Sequence, residues 1–404
     1  MDIRILSLSG GAFAVGTGSL IVTGILPHLA SGLAVSVDSA GLLISVFAVA
    51  YAIGSPVLST LFGNVERKRV LAGSMAVFGL TNLAAAFCGE FWQLMVARVV
   101  MAAAAGVYMP AANAVAVSLA PPERRARAIA MVTGGMTVAL VLGVPIGTAV
   151  VPFGGWHVAF LLVAGFSALA LLGILARLPS GLPHASNSMA ERLAVARRGD
   201  VLLALSTTML WTTGAFTLYT YIAPFLASHA GIGGPWLGAT LVISGLGSAL
   251  GNQLGGIASD RFGPERALRV TLSVLACALA AASLIALTLP PTTAVFVLPF
   301  FLFVWSGAGW AGHPSQMSRL AAMAPDAVVV ALSLNASALY VGIAAGSALG
   351  QQTMRHLGTW PLGFVGAACE ILALATLWLA LRRKRAAAFP AGLREIAPLS
   401  PPVR

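Results

Sequence analysis

The chain has 404 residues, of which 58% are apolar and only 9% are charged. So few polar side chains cannot coat a soluble globule of this size, and the composition therefore places the chain in a lipid bilayer. The net charge of +11 is spread over separate short loops without interleaved aromatic residues, which argues against a nucleic-acid surface.

Long apolar stretches follow one another along almost the whole chain. About 20 apolar residues are needed to cross a bilayer, and twelve stretches of that order are predicted as membrane-spanning helices. They cover residues 5–29, 39–62, 69–88, 92–117, 126–152, 157–177, 201–227, 235–258, 266–289, 294–318, 327–353 and 360–382. The first has full span length and no small-residue cleavage pattern, so we expect it to be retained rather than removed as a signal peptide.

The basic residues lie in every second loop. They are Arg67 to Arg69, Arg124, Arg125, Arg127, Arg192, Arg197, Arg198, Arg261, Arg266, Arg269 and Arg382 to Arg385, with Lys68 and Lys384 among them. The opposite loops hold only Arg355. Because short cytoplasmic loops carry the excess of Lys and Arg, we predict that both termini are cytoplasmic.

One long, Pro- and Ser-containing connection divides six predicted spans from six. A Gly-containing basic loop follows the second span of each half, at Gly63 to Arg69 and at Gly255 to Arg266. This repeat predicts an all-α membrane protein of two pseudo-symmetric six-helix bundles in parallel orientation. The expected units are a bundle at 1–177, a cytoplasmic linker at 178–200, a bundle at 201–385 and a cytoplasmic tail at 386–404.

Glycines recur at four-residue spacing in three of the predicted spans. They are Gly143 and Gly147, then Gly247, Gly251 and Gly255, then Gly342, Gly346 and Gly350. Such spacing puts glycines on one helix face and lets two backbones approach closely in lipid. The seams either pack helices statically or also form a smooth surface along which the two halves rock.

Several short segments, in this order and spacing, resemble the major facilitator superfamily, and within it the twelve-span drug:proton antiporters that include bacterial chloramphenicol-efflux and arabinose-type exporters. The segments are GTGSLIVTGILP, ARVVMAAAAGVYMP, GVPIGT, GGWHVAF, TYIAPFL, GGIASDRFG and NASALYVGIAAGSALG. The resemblance covers nearly the entire chain. It implies the fold of that superfamily, transport of a small molecule across the bilayer and no enzymatic activity.

The loop motif of this family is present in the second half, at Gly256, Asp260, Arg261, Gly263 and Arg266. The resemblance implies a cytoplasmic latch, in which Asp260 meets helix N-termini of the other half; the alternative is a loop charge that only fixes topology. The first-half copy keeps Arg67, Lys68 and Arg69 but has Gly63 and Asn64 where the family has Asp and Arg.

The resemblance to the family also implies roles for two further elements, Arg98 and the GVPIG segment. Arg98 is a basic residue well inside a predicted span, where a guanidinium needs an aqueous cavity or a hydrogen-bonding partner, and the resemblance ties it to proton coupling. Pro145 in GVPIG removes a backbone hydrogen bond and predicts a bend. In the family this segment is typical of exporters; a purely structural kink is the alternative.

The acid that usually serves proton exchange is missing from the first span. In the resembling exporters a Glu or Asp stands at the position of Ser19, and serine cannot exchange a proton near neutral pH. Two other groups are candidates for coupling. Glu370 lies well inside the last predicted span, where it either exchanges protons or stays protonated in a packing contact. His313 either titrates or packs as a hydrogen-bonded imidazole.

The expected substrate cavity lies at the midplane between the halves and is lined by spans one, four, seven and ten. Its candidate residues are Thr17, Ser19, Thr23, Tyr108, Asn113, Trp211, Thr213, Tyr219, Tyr221, Trp305 and Trp310. Aromatic walls with few charges suit a neutral or zwitterionic amphiphile.

The leading hypothesis is therefore a secondary exporter of the bacterial inner membrane that works by alternating access, with protons as a candidate partner. A facilitator or importer of sugars or nucleosides is the alternative, and a non-transporting membrane sensor is the remote one. Cys88, Cys277 and Cys369 have no metal-ligand spacing. We expect no metal, no cofactor, no nucleic-acid partner and a monomer.

Overall fold

The computed structural model describes residues 3–121, 125–181, 194–195, 197–324 and 327–388. At residues 125–127, 235, 329 and 385–388 only the backbone is described. Arg124 and Arg192, most of the predicted linker and residues 389–404 of the predicted tail lie outside the described residues. Within the described ranges the regular secondary structure is entirely helical.

The helices fall into twelve consecutive segments, which match the twelve predicted spans in order. The first six are α1 (Ile3–Gly32), α2 (Val37–Ala40 and Leu42–Leu61), α3 (Arg67–Ala85), α4 (Phe91–Leu119), α5 (Arg125–Val138, a π turn at Ala139–Gly143, and Val144–Ala149) and α6 (Trp156–Arg177). The second six are α7 (Gly199–Tyr219 and Ile222–Ala230), α8 (Gly234–Phe262), α9 (Pro264–Thr288), α10 (Pro291–Met323), α11 (Val328–Leu357) and α12 (Leu362–Ala388).

Ten of these segments are long and apolar enough to cross a membrane. The other two, α3 and α8, have a physical reason to fall short: α3 begins with three basic residues, and α8 is rich in glycine and carries Asn252, Gln253 and Asp260. Both nevertheless pack inside the same bundles as the other ten. The number of crossings and the side of the termini stay predictions.

The two halves repeat the same helix pairings. In the first half α1 packs on α5 and α6, α2 packs on α4, and α3 packs on α4 and α6. In the second half the equivalent pairs are α7 with α11 and α12, α8 with α10, and α9 with α10 and α12. Between the halves, α2 packs on α11 and α5 packs on α8. The exact boundaries of the two units stay predictions.

The glycine seams join helices of the same half. A Cβ on Gly247, Gly251 or Gly255 would strike α10 at Phe303, Gly307 or Ala311, because α8 and α10 touch backbone to backbone. Gly342, Gly346 and Gly350 press α11 on α7 in the same way, and Gly143 and Gly147 press α5 on Thr17 and Ile21 of α1. The seams therefore do not provide the sliding surface between the halves that the rocking interpretation required.

One glycine that does lie between the halves is Gly245 of α8. A Cβ there would lie 2.6 Å from Val141 Cα and 2.7 Å from Leu140 O, both in the π turn of α5. Pro145 follows this turn and cannot donate a backbone hydrogen bond, which is a recognised cause of such local rearrangement. The bend predicted at GVPIG takes the form of a π turn, and this turn is where α5 meets α8.

Gly251→Val should destabilise the second half, because the new side chain overlaps the backbone of Gly307 and no rotamer relieves a backbone clash. We expect a loss of about 3 kcal/mol and a lower thermal unfolding temperature in detergent. The matched control is Gly256→Val on the same helix, where an added Cβ meets nothing within 4 Å. Equal melting temperatures for the two variants would contradict the close α8–α10 contact.

Candidate functional site

A cavity of about 100 Å³ lies between the two halves. The first half lines it with α1, α2 and α5, and the second half lines it with α7, α8, α10 and α11. The fourth span was expected to contribute, but α4 supplies none of the described lining residues. The two interhalf contacts, α2 on α11 and α5 on α8, thus form two of its walls.

Six of the predicted functional residues line the cavity: Ser19, Trp211, Tyr219, Trp305, Trp310 and the coupling candidate His313. Four of the aromatic ones form two ring pairs. The ring centroids of Tyr219 and Trp305 are 5.7 Å apart, and those of Trp310 and His313 are 5.9 Å apart. Aromatic pairs at such distances attract one another beyond the effect of their buried area.

The remaining six cavity candidates lie elsewhere, and most of them are satisfied by backbone carbonyls. The hydroxyls of Thr17, Thr23 and Thr213 donate to carbonyls one turn back on their own helices. Tyr108 donates 2.9 Å to Leu8 O, inside the first half. Asn113 is half buried on α4, outside the cavity.

Sequence reasoning missed much of the lining. The missed residues on α2, α5, α8 and α11 include Ile44, Phe47, Met136, Leu140, Val144, Leu241, Ser244, Ser248, Leu339, Tyr340 and Ile343. Only the four-residue spacing of Ser244 and Ser248 beside the glycines could have indicated a polar face. Hydroxyls of Ser19, Thr212, Ser244, Ser248 and Ser306 are the small polar groups of the wall, and no Asp, Glu, Lys or Arg is among the lining residues described.

Arg98 is completely buried and is held by backbone carbonyls rather than by a carboxylate. Its Nη1 donates 2.7 Å to Gly18 O, its Nη2 donates 3.1 Å to Ser19 O, and its Nε donates 3.1 Å to Leu43 O. The guanidinium also lies 4.2 Å from the centroid of the Phe47 ring. One side chain of α4 therefore fixes α1 and α2 at the wall of the cavity.

Ser19 sits at this junction. Its hydroxyl donates 2.6 Å to Val15 O, and Tyr340 of α11, in the other half, lines the same cavity. Tyr340 in turn stacks on Tyr51 of α2 with ring centroids 3.7 Å apart. The position at which the family resemblance led us to expect an acid thus holds a neutral hydroxyl at the cavity wall.

The two halves are joined at the end of the bundle opposite the termini, here called the far end. The Tyr221 hydroxyl lies 3.1 Å from Ser347 O and 3.4 Å from Asp38 O, so that it connects α7 with α11 and with α2. Ser347 Oγ donates 2.9 Å to Gly41 O across the same interface. Tyr221 is fully buried in the break between the two parts of α7. It belongs to a closure at the far end and not to the cavity.

The loop motif lies at the opposite, terminal end. Gly263, with φ +83°, joins α8 to α9 in a conformation that favours glycine. Asp260, Arg261 and Arg266 are exposed, and among the described residues Asp260 forms no ion pair. In the first half, Arg69 pairs with Glu66 at 3.0 Å and Arg67 is buried. Among the described residues no ion pair joins Asp260 to the other half, and the predicted latch stays a prediction.

The third coupling candidate, Glu370, lies outside the cavity. Its side chain is completely buried in α12, against Gly214 of α7.

Arg98→Lys should destabilise the first half, because an ammonium cannot reproduce the fork that reaches Gly18 O, Ser19 O and Leu43 O together. We expect the free energy of unfolding to fall by about 3 kcal/mol, measured as thermal or denaturant unfolding in detergent. Arg355→Lys, at an exposed residue in the last turn of α11, is the control. A stable Arg98→Lys protein would show that the three carbonyls do not hold this charge.

Tyr221→Phe should open the far end more often, because it removes the hydroxyl that approaches Asp38 O and Ser347 O. One lost hydrogen bond of about 1 kcal/mol shifts a two-state population about fivefold. The measurement is maleimide labelling from the far side of Ser19→Cys, in a chain whose own cysteines are replaced by Ala. Tyr108→Phe, whose lost bond lies within the first half, should leave labelling unchanged. Equal labelling of both variants would contradict this closure.

The comparison with known proteins agrees with this architecture. The profile of the Major Facilitator Superfamily matches residues 8–346. The chain is 30% identical over 373 residues to the uncharacterised MFS-type transporter YbcL of Bacillus subtilis. The alignment covers 92% of this chain and 94% of that one. It is 32% identical to the inner membrane transport protein YdhP of Escherichia coli K12, with 94% and 96% covered. It is 30% identical to a chloramphenicol resistance protein of Streptomyces lividans, with 93% and 95% covered.

Solved structures show the same fold at lower identity. The crystal structure of a D-xylose–proton symporter aligns with a TM-score of 0.75 at 15% identity, over 93% of this chain and 97% of that one. A bacterial homologue of the human lysosomal transporter Spinster, in an inward-facing and occupied conformation, aligns with a TM-score of 0.72 at 17% identity, over 94% and 96%. Together with its apolar helices, these matches make the chain a multi-pass inner-membrane protein and a transporter rather than an enzyme. The chain belongs to the major facilitator superfamily.

Proposed function

We propose that the protein is a secondary exporter of small, weakly charged, partly apolar molecules. The observation that carries this proposal is the cavity between the halves, whose described wall joins Trp211, Tyr219, Trp305 and Trp310 with serine and threonine hydroxyls and without an Asp, Glu, Lys or Arg side chain. Concave, mainly apolar sites with a few convergent polar groups are typical of small-molecule binding.

The composition of the wall defines the class of substrate. A multivalent anion or cation would lose its hydration shell in this cavity and find no opposite charge there. A neutral or zwitterionic amphiphile keeps its apolar part on the indole rings and its polar part on hydroxyls such as Ser244 and Ser248. Chloramphenicol, which the name of the Streptomyces lividans relative mentions, has this character.

Export is the direction we propose. With the basic loops on the cytoplasmic side, the far end is periplasmic, and a conformation closed there exposes its cavity to the cytoplasm. The relative named for chloramphenicol resistance and the exporter-like GVPIG segment favour the same direction.

Alternating access requires the contacts at the two ends of the bundle to form in turn. To turn outward, the bonds of Tyr221 and Ser347 to α2 must break, and a contact at the terminal end must form in their place. Asp260, Arg261 and Arg266 are exposed at that end and are positioned to supply it. The halves then pivot about the α2–α11 and α5–α8 contacts, while the glycine seams hold α8 to α10, α11 to α7 and α5 to α1.

An uncoupled facilitator, or an importer of sugars or nucleosides, is the second candidate. The observation that favours it is Ser19, which fills the place expected for the proton-exchanging acid with a neutral hydroxyl bound to Val15 O. A facilitator predicts flux that ignores a pH gradient.

Transport in proteoliposomes with labelled chloramphenicol, and with a panel of neutral amphiphiles, sugars and nucleosides, tests the proposal. We expect gradient-driven or exchange flux of at least one amphiphile, and Trp305→Ala should raise its apparent KM about tenfold through loss of the ring beside Tyr219. Trp236→Ala, at an exposed indole on α8, should leave the KM unchanged. No flux of any compound by the wild type would refute transport, and flux of sugars or nucleosides alone would favour the second candidate.

A further inference from the structure

Glu370 is the acidic residue whose surroundings call for a function. It lies eight residues after the start of α12, roughly 12 Å along the helix axis, and its side chain has no exposed surface. Both carboxyl oxygens lack a hydrogen-bond partner in the described structure. An ionised carboxylate buried without a donor or a cation costs several kcal/mol, so a group left in this condition needs an explanation.

The carboxyl group rests directly on the backbone of α7. Gly214 leaves room for it, because a Cβ at this position would lie 2.6 Å from Glu370 Oε1 and 2.6 Å from Gly366 O. Gly366 makes the reciprocal approach to Gly214 O. The two helices therefore touch through a pair of glycines, with the carboxyl group sealed between them.

Other charges do not reach this position. On the helices that pack on α12, the titratable side chain beside Glu370 is that of Cys369. Tyr219 and Tyr340 line the cavity, Tyr221 lies at the far end, and Cys277 is exposed. The remaining groups lie at helix ends: Asp200 and His229 on α7, Glu265, Arg266 and Arg269 on α9, Arg355 and His356 on α11, and Arg382, Arg383 and Lys384 on α12.

The position of α7 links Glu370 to the rest of the molecule. Trp211, Ala215 and Tyr219 on one face of α7 line the cavity, while Gly214 on another face touches Glu370. Seven residues after Gly214, Tyr221 forms the far-end closure with Asp38 and Ser347. One helix thus contacts the buried carboxyl group, the cavity and the closure.

We propose that Glu370 is the proton-carrying group of the transporter, in a site on the side of α7 that faces away from the substrate cavity. This rests on the proposed function. In the conformation described, the carboxyl group is neutral and packs on Gly214. To exchange its proton the group needs water, which enters only when α7 moves away from α12. When the far end opens, this movement displaces Tyr221 and lets the group take up a proton from the far side. When the far end is closed, substrate that binds on Trp211 and Tyr219 moves α7 and lets the proton leave toward the terminal side, so that inward proton flow drives export.

Two consequences distinguish this site from an acid in the cavity wall. Proton and substrate occupy different spaces and do not compete directly. The missing acid at position 19 is then no obstacle to coupling, because the exchange takes place behind α7.

The first test needs no substrate. Infrared difference spectra of the protein in lipid, recorded through a pH titration, should contain the carbonyl band of a protonated buried carboxyl group, and Glu370→Gln should remove this band. Thr376→Val, six residues further along α12 at its contact with Thr207, is the control and should retain it. A band that persists in Glu370→Gln, or that is absent from the wild type, would overturn the assignment.

The second test separates coupling from transport, with labelled chloramphenicol as the probe. Glu370→Gln should lose accumulation driven by a pH gradient by at least about tenfold while labelled-for-unlabelled exchange continues; Glu370→Asp should recover part of the accumulation. Thermal unfolding checks that each variant is folded. Undiminished gradient-driven accumulation in Glu370→Gln would overturn this inference alone. Absence of both fluxes from the wild type would contradict the proposed function for this compound, and the coupling role would fall with it.

Discussion

Close contact between helix backbones is the constraint on which this structure depends. In lipid the hydrophobic effect does not drive helices together, and packing at short range has to replace it. Gly247, Gly251 and Gly255 bring α8 against α10, and Gly342, Gly346 and Gly350 bring α11 against α7. Each of these helix pairs therefore stays together, and the freedom that remains lies between the halves, where the cavity is, and at contacts outside these seams, such as that of α7 with α12.

Arg98 shows how a charge is stabilised inside such a body. The guanidinium is satisfied by carbonyls of Gly18, Ser19 and Leu43 and by the face of Phe47, so it needs no acidic partner. The sequence predicted that this residue needs a partner at depth. It could not predict which one, because every residue carries a carbonyl and only the positions of α1 and α2 select these three. The same contact makes Ser19 a structural element of the cavity wall.

The order of the helices and the assignment to a membrane protein could be predicted from the lengths of the apolar stretches. The superfamily could be predicted from short segments and from their order along the chain. The cavity was harder to predict, since a helix known only by its span has an unknown rotation. Tyr108 and Trp305 are both aromatic residues of expected lining helices, yet the first bonds Leu8 inside its own half and the second faces the cavity. Tyr340 gave no signal, because its importance comes from the packing of α11 on α2.

The closure at the far end depends on main-chain acceptors. Tyr221 approaches the carbonyl oxygens of Asp38 and Ser347, and Ser347 Oγ donates to the carbonyl oxygen of Gly41. Carbonyl groups neither titrate nor exchange counterions, so these bonds do not weaken as ionic strength rises, in contrast to a gate built of ion pairs. The acceptors also persist whatever side chain occupies position 38. Changes in the external medium therefore do not act directly on these bonds. The far end opens through forces that act from within the bundle.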